Sequence, residues 1–261
     1  MYSQGLVYVA TGPDYLREVA LSIARSSNYI SNLPIAIFTD LDKTARDLGL
    51  FDYVFNIDNP FYSYGDKILP MSRSPFTKSL FIDSDTVVIS SLSPLFELLD
   101  TFDLCASLAP VRSPDGWTSS VPCSLFTEFN TGVLLVRKTK RVKSFICDWH
   151  RLYSHLYLTT GQSWDQASFR ETLWSYISNH LVNFFALPPE CNLRLTKPWI
   201  AGKGLEVSVI HGRINDDELP LLASYLNDNV SCFRSWEMWK KLYPNTNLKL
   251  KTTVDPRFNS D

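Results

Sequence analysis

No two of the five cysteines, Cys105, Cys123, Cys147, Cys191 and Cys232, lie close enough in sequence to form a C-x-x-C pair. A zinc ribbon or a thioredoxin-like redox pair is therefore excluded. Their odd number in a chain of 261 residues argues for reduced thiols and a cytoplasmic setting. No run reaches the ~20 consecutive apolar residues that a membrane span needs. The opening residues, Met1-Tyr2-Ser3-Gln4-Gly5, lack the basic region and long apolar stretch of a secretion signal. Excess charge is missing too: the formal net charge is -2, which leaves no electrostatic footprint for nucleic acid. There is no internal repeat.

What is present is an ordinary globular composition, 45% hydrophobic and 20% charged. A chain of this length buries ~75% of its unfolded surface, enough for one well-developed core without staples. A single domain over residues 1–261 is expected, with a core at 5–215, a helical extension at 216–251 and a polar tail at 252–261.

Along the first third, short apolar runs alternate with helical patterns. Leu6–Ala10, Ile35–Phe38, Tyr53–Ile57 and Ser79–Ile82 read as strands. Leu16, Val19, Ala20 and Ile23 repeat at helical spacing between the first two. Such β-α alternation predicts a mostly parallel sheet in a three-layer α/β/α arrangement. Later strands are expected at Thr86–Ile89, Asp103–Leu108, Gly132–Val136, Phe184–Leu187 and Val207–Ile210, and helices at 139–157 and from Asp165. Residues 109–128, rich in proline and serine, form a long loop of the kind that covers binding sites. Trp236, Trp239, Leu242 and Tyr243 share a helical face, which reads as core packing or as a peripheral membrane contact.

The Ser79–Ile82 strand runs into Asp83-Ser84-Asp85. Alternation puts both carboxylates on one side with Ser84 turned away. Ligands of open α/β sheets bind beyond the carboxyl ends of the strands, where this pattern also gathers Thr11 and His211. Asp83, Asp85 and His211 make a set suited to Mn2+ or Mg2+, with a diphosphate filling the remaining positions. The plainer readings are an Asp-rich turn and a packed histidine.

In order and spacing these residues resemble a GT-A-fold glycosyltransferase of family 8, the group that includes glycogenin and bacterial galactosyltransferases. The marker is an apolar strand ending in D-x-D after a basic residue, here Lys78 to Val88. Asn130-Thr131-Gly132-Val133 follows as the second motif, Asp165-Gln166 as the third, and His211 as the last. The resemblance spans residues 5–215 and implies a GT-A fold, a nucleotide-diphosphate sugar donor, UDP-linked, and retention at the anomeric carbon. It implies that Asp83, Asp85 and His211 hold the metal and that Thr11 and Tyr15 flank the base. Asn130, Asp165 and Gln166 would face the sugar, with Asp165 as the base if the reaction inverts. Lys67, Lys78, Ser84 and Arg213 complete the donor-binding set. Arg213 stands where the family has a lysine, and Lys197-Pro198-Trp199 is out of register with the family's Lys-Pro-Trp. The acceptor, a glycan, a lipid-linked sugar or a protein, has no legible motif.

Competing readings make Asp165 a helix N-cap, Asn130 a turn residue, and Lys67 and Lys78 solvated. Asp40-Leu41-Asp42 resembles the first motif of haloacid-dehalogenase-type phosphatases, but helix capping explains both acids more simply. A non-catalytic glycan-binding protein on the same fold is the third reading.

Overall fold

The computed structural model describes residues 3–109, 120–123, 125–195, 201–231, 234 and 241. Strand β1, Gln4–Ala10, feeds helix α1, Pro13–Ile30. Pro13 starts the helix where its missing N–H costs nothing. Gly12 precedes it at φ 90°, a left-handed conformation that favours glycine. Leu16, Val19, Ile23 and Ile30 then bury one face of α1. β2 (Ile35–Thr39), α2 (Asp42–Leu48) and β3 (Tyr53–Asn56) follow. A 3-10 turn, Tyr64–Lys67, leads into the short α3, Ile68–Met71, and then β4, Lys78–Ile82.

The remaining elements are β5 (Thr86–Val88), α4 (Ser93–Leu98), β6 (Leu104–Leu108), β7 (Phe129–Arg137), α5 (Lys140–Thr160), α6 (Asp165–Ser178), β8 (Phe184–Leu187), a second 3-10 turn (Pro189–Asn192), β9 (Leu193–Arg194), β10 (Val209–His211) and α7 (Leu219–Asn227). The Thr139 hydroxyl caps α5 by accepting the Val142 N–H at 3.1 Å.

Seven strands form the central sheet in the order β3-β2-β1-β4-β7-β6-β8. Only β7 runs against its neighbours, antiparallel to both β4 and β6. Period-2 alternation splits the side chains between two cores. Leu6, Tyr8, Ile37, Leu80 and Ile82 pack under α1, α2 and α4. Val7, Phe38, Phe81 and Leu134 pack under α3, α5 and α6. This is the expected three-layer α/β/α architecture with a mostly parallel sheet. Each fully buried Leu, Ile or Phe adds ~1.5–3 kcal/mol, so the two cores are the main source of stability.

A second, three-stranded sheet has the order β5-β10-β9. Its core joins Val87, Leu193 and Ile210 to Leu222 and Leu226 of α7. It takes up the expected strands at 86–89 and 207–210. Residues 86–88 and 209–211 are not strands of the main sheet; they pair antiparallel with each other, with His211 opposite Thr86. The last strand also begins two residues later than the apolar run suggests and ends on His211 itself. The Trp236–Tyr243 stripe, Lys197-Pro198-Trp199, most of the 109–128 loop and the 252–261 tail lie outside the described residues.

Candidate metal and sugar-nucleotide site

The strand order 3-2-1-4 reverses direction at β1, and at such a switch point ligands of open α/β sheets bind beyond the carboxyl ends of the neighbouring strands, here β1 and β4. Thr11 and Asp83 stand on the two sides of this crevice. Because β7 is antiparallel to β4, its amino end arrives at the same edge: the Asp83 N–H donates to the Gly132 carbonyl at 2.8 Å. Thus Asn130, Thr131 and Gly132 reach the crevice although they lie at the start of their strand. The small sheet brings His211 in from the other side, and the Gly212 N–H donates to the Asp85 carbonyl at 2.8 Å.

Asp83, Asp85 and His211 each offer one ligand atom, and these atoms lie within 4.8 Å of one another. His211 Nε2 is 3.2 Å from Asp85 Oδ1 and 3.8 Å from Asp83 Oδ2. The other ring nitrogen, Nδ1, lies 2.8 Å from Asn192 Oδ1, which can only accept. Nδ1 therefore donates to Asn192, and Nε2 is the ring nitrogen turned toward the carboxylates. Asn192 in turn donates to Asn130 Oδ1 at 2.8 Å, and the same oxygen accepts the Gly132 N–H at 3.0 Å. This chain of bonds fixes the imidazole as an outer shell fixes a metal-ligating histidine.

Gly132 leaves the room that such a site requires. A Cβ there would stand 2.1 Å from His211 Cε1 and 2.7 Å from Asp83 Oδ2. Arg194 Nη1 lies 2.5 Å from His211 Nε2 and occupies part of the same space. Burial works against the Asp85 charge. His211, Arg194 and Arg213 outweigh it and hold the carboxyl well below the usual carboxylate range. Two carboxylate oxygens and an imidazole nitrogen converging on one point are a donor set that fits a divalent cation.

Beside this face lies a buried charged cluster. Ser63 caps the 3-10 turn and Asp66 bonds back to it, which fixes Lys67 one residue later. Lys67 Nζ is 3.2 Å from Asp83 Oδ1, 3.3 Å from Asp165 Oδ2 and 3.3 Å from Thr131 Oγ1. The Thr131 hydroxyl donates to Asp165 Oδ2 at 2.6 Å. Burial alone would lower the Lys67 pKa, but Asp165 and Asp83 raise it above its ordinary value, so the amine stays charged. Burial raises the Asp165 carboxyl, with Lys67 and Thr131 opposing. Lys67 is not a solvated lysine. Nor is Asp165 an N-cap: that position is Trp164, and Asp165 is the first residue of α6. Gln166 follows, half-buried, on the same first turn.

The remaining expected residues are scattered more widely. The Thr11 hydroxyl donates to Asp66 at 3.0 Å, which ties the end of β1 to the turn bearing Lys67. Tyr15 packs half-buried against the α1 core. Ser84 and Arg213 lie on the α1 side of Asp85, where both bond to Glu18. Lys78 is not brought to this edge. It begins β4, pairs with Asp100 at 2.6 Å, and is separated from Asp83 by the length of the strand, ~3.3 Å per residue.

Asp40 is corrected as well. It does not cap α2, whose N-cap is Leu41. It accepts the Gly12 N–H at 2.8 Å and the Tyr62 hydroxyl at 3.1 Å. Asp42 lies in the first turn of α2, 3.7 Å from Arg46. Asp40 thus serves the crevice wall, and Asp42 pairs on the surface of α2. Thr131, Asn192 and Arg194 were not singled out from the sequence. Thr131 could have been, since it sits inside a recognised motif. Asn192 and Arg194 carry no local signal.

No family model and no curated protein matches this chain by sequence. Solved structures do. A galactosyltransferase, LgtC, in complex with donor and acceptor sugar analogs aligns with a TM-score of 0.56 at 16% identity, over 91% of this chain and 99% of that one. Mouse xyloside xylosyltransferase 1, apo form, gives 0.53 at 14% identity, over 81% and 98%. The glycosyltransferase GlyE of Streptococcus pneumoniae TIGR4 gives 0.55 at 18% identity, over 94% and 62%. The shared feature is the fold, that of the GT-A glycosyltransferases.

Proposed function

We propose that this protein is a metal-dependent glycosyltransferase of the family 8 type. It takes a sugar, of the hexosyl class, from a nucleotide-diphosphate donor, UDP-linked, and transfers it with retention to an acceptor hydroxyl. One observation carries the reading. Asp83, Asp85 and His211 converge within 4.8 Å at the crevice of a GT-A sheet, next to the buried pair Lys67 and Asp165.

Asp83, Asp85 and His211 would hold Mn2+ or Mg2+. A bound cation there supplies a Lewis acid for the charge that develops on the departing diphosphate. Lys67 keeps a positive charge fixed beside Asp83, so part of that stabilisation is built in before donor arrives. Asn130 orients His211 through Asn192. Thr11 and Tyr15 stand on the β1 side, where the base of the nucleotide would lie. Asp165 takes both of its donors on one oxygen, an arrangement that suits holding and orienting a sugar. Retention, in which no separate protein base is required, rests on the resemblance to family 8. Gln166, on the next position of α6, serves the same sugar. Ser84 and Arg213 belong to the donor side through Asp85, whose charge Arg213 helps to stabilise.

Thermal unfolding with UDP, GDP and their sugars, with and without manganese, tests this. A ligand at 100 times its dissociation constant adds ~2.7 kcal/mol. The expected outcome is stabilisation by UDP and UDP-sugars only when manganese is present. A melting temperature unmoved by every nucleotide in manganese would rule the reading out.

A further inference from the structure

The metal ligands come from two chain segments that are far apart in sequence, Asp83-Ser84-Asp85 and His211-Gly212-Arg213. Their spacing depends on how those segments are held against each other. Two ties are backbone ones: the Gly212 N–H to the Asp85 carbonyl at 2.8 Å, and the pairing of His211 with Thr86. The third is a side chain. Glu18 projects from α1 between the two segments. Its Oε2 accepts the Ser84 hydroxyl, and its Oε1 meets Arg213 Nε at 2.7 Å.

Ser84 is the residue between the two aspartates, and Arg213 is two residues beyond the histidine. One carboxylate therefore grips both ligand-bearing segments from behind, on the side away from the metal face. The three residues line a cleft of about 200 Å3 with Asp85, Thr86 and Gly212. Nearby, α1 also reaches β5 through Ser26, whose hydroxyl accepts the Val88 N–H at 2.9 Å. Helix α1 thus acts as the splint against which the metal face is set.

We infer that Glu18 is a positioning residue for the metal site, fixing the distance between the Asp83/Asp85 turn and His211 by bonding Ser84 and Arg213 at once. Partners bonded directly to metal ligands change affinity by ~10–100-fold when removed, and Glu18, which acts through the residues beside the ligands, is placed at the lower end of that range. Two features separate Glu18 from an ordinary surface acid. Its side chain is only 18% exposed, and each oxygen meets a different ligand segment. Arg17, the preceding residue on α1, faces solvent and pairs with Asp14 at 3.2 Å.

This inference rests on the proposed metal site, and manganese binding itself separates the two. Free Mn2+ would be followed by electron paramagnetic resonance during titration of the wild type, Glu18→Ala, Glu18→Gln, Ser84→Ala and Arg17→Ala. The expected result is manganese affinity about tenfold weaker in Glu18→Ala, with a smaller loss in Ser84→Ala. Glu18→Gln, which can still accept from Ser84, should recover part of the affinity, and Arg17→Ala should match the wild type. Adding Ser84→Ala to Glu18→Ala should cost little more, since one bond is removed by either. If the wild type binds manganese and both Glu18→Ala and Ser84→Ala bind it equally well, the positioning role is wrong while the metal site stands. If the wild type binds none, the metal site and the inference fall together. Should Glu18→Ala fail to fold, Ser84→Ala and Glu18→Gln decide by the same readout.

Discussion

Asp165 and Glu128 are carboxylates buried beside α6, and the protein treats them in opposite ways. Asp165 accepts a hydrogen bond from Thr131 and an ion pair from Lys67. Neither Glu128 oxygen has a hydrogen-bond partner among the described residues. Its ion-pair partner among the described residues is Arg170, whose Nε is 3.4 Å away and which donates to the Phe126 carbonyl through Nε and Nη2. Burial, only partly offset by Arg170 and aggravated by Glu171, pushes Glu128 up to about 7. A buried carboxylate stays charged only where donors converge on it, as they do on Asp165 and do not on Glu128. Donors converge as well on buried Asp103, which accepts the Asn183 N–H at 2.9 Å and bonds from Arg137, so support alone does not mark the site; what sets Asp165 apart is that its partner Lys67 also meets Asp83.

Removing the cation from the supported cluster should break the contrast most severely. Lys67→Met leaves Asp83 and Asp165 without their shared partner. It should destabilise the protein by ~3–5 kcal/mol in urea unfolding, the range for breaking a buried pair. Transfer and donor hydrolysis should fall by at least ~100-fold, a loss of ~2.7 kcal/mol in transition-state stabilisation. Wild-type rates in a folded Lys67→Met protein would remove Lys67 from the site.

Next in size is Asp165→Asn, which keeps the shape and an acceptor for Thr131. Initial-rate assays should show kcat reduced ~100-fold, while unfolding shifts far less than in Lys67→Met. Comparable losses of stability in the two variants would mean that Asp165 is structural.

The smallest effect belongs to the unsupported acid. Glu128 has a folded pKa raised above its unfolded value, so its neutral form favours the fold. Stability from this group is present at low pH and declines as pH rises from about 4.5 toward about 7. Glu128→Gln should therefore be more stable than the wild type at pH 8, by about 1–3 kcal/mol at ~1.4 kcal/mol per tenfold change in proton affinity. The difference should vanish near pH 4.5. Urea unfolding across that range checks it, and a parallel pair of curves would show that Glu128 is solvated or paired in solution.

Much of this arrangement was legible in sequence, for physical reasons that can be named. Strands β1 to β4 are short apolar runs punctuated by turn residues, so period and breakers mark them. Asp83, Asp85 and His211 stand at ends of such runs, where a buried strand has no other use for them. The small sheet was not legible as a separate unit, because strands of two and three residues show no period. Asn192 and Arg194 touch His211 only because β9 pairs with β10. Lys78 was misplaced because closeness in sequence to a motif is not closeness in space when a strand lies between. Asp40 looked like a helix cap, since an acid before a helix usually is one. The fold instead puts the Gly12 N–H and the Tyr62 hydroxyl within its reach.

The central claim is that Asp83, Asp85 and His211 make nucleotide binding depend on a divalent cation. Calorimetric titration of UDP into the wild type and His211→Ala, each with manganese and with chelator, tests it most directly. The account predicts binding by the wild type in manganese, none in chelator, and an affinity at least tenfold weaker in His211→Ala. UDP binding of equal strength with and without manganese, or unchanged by His211→Ala, would contradict it.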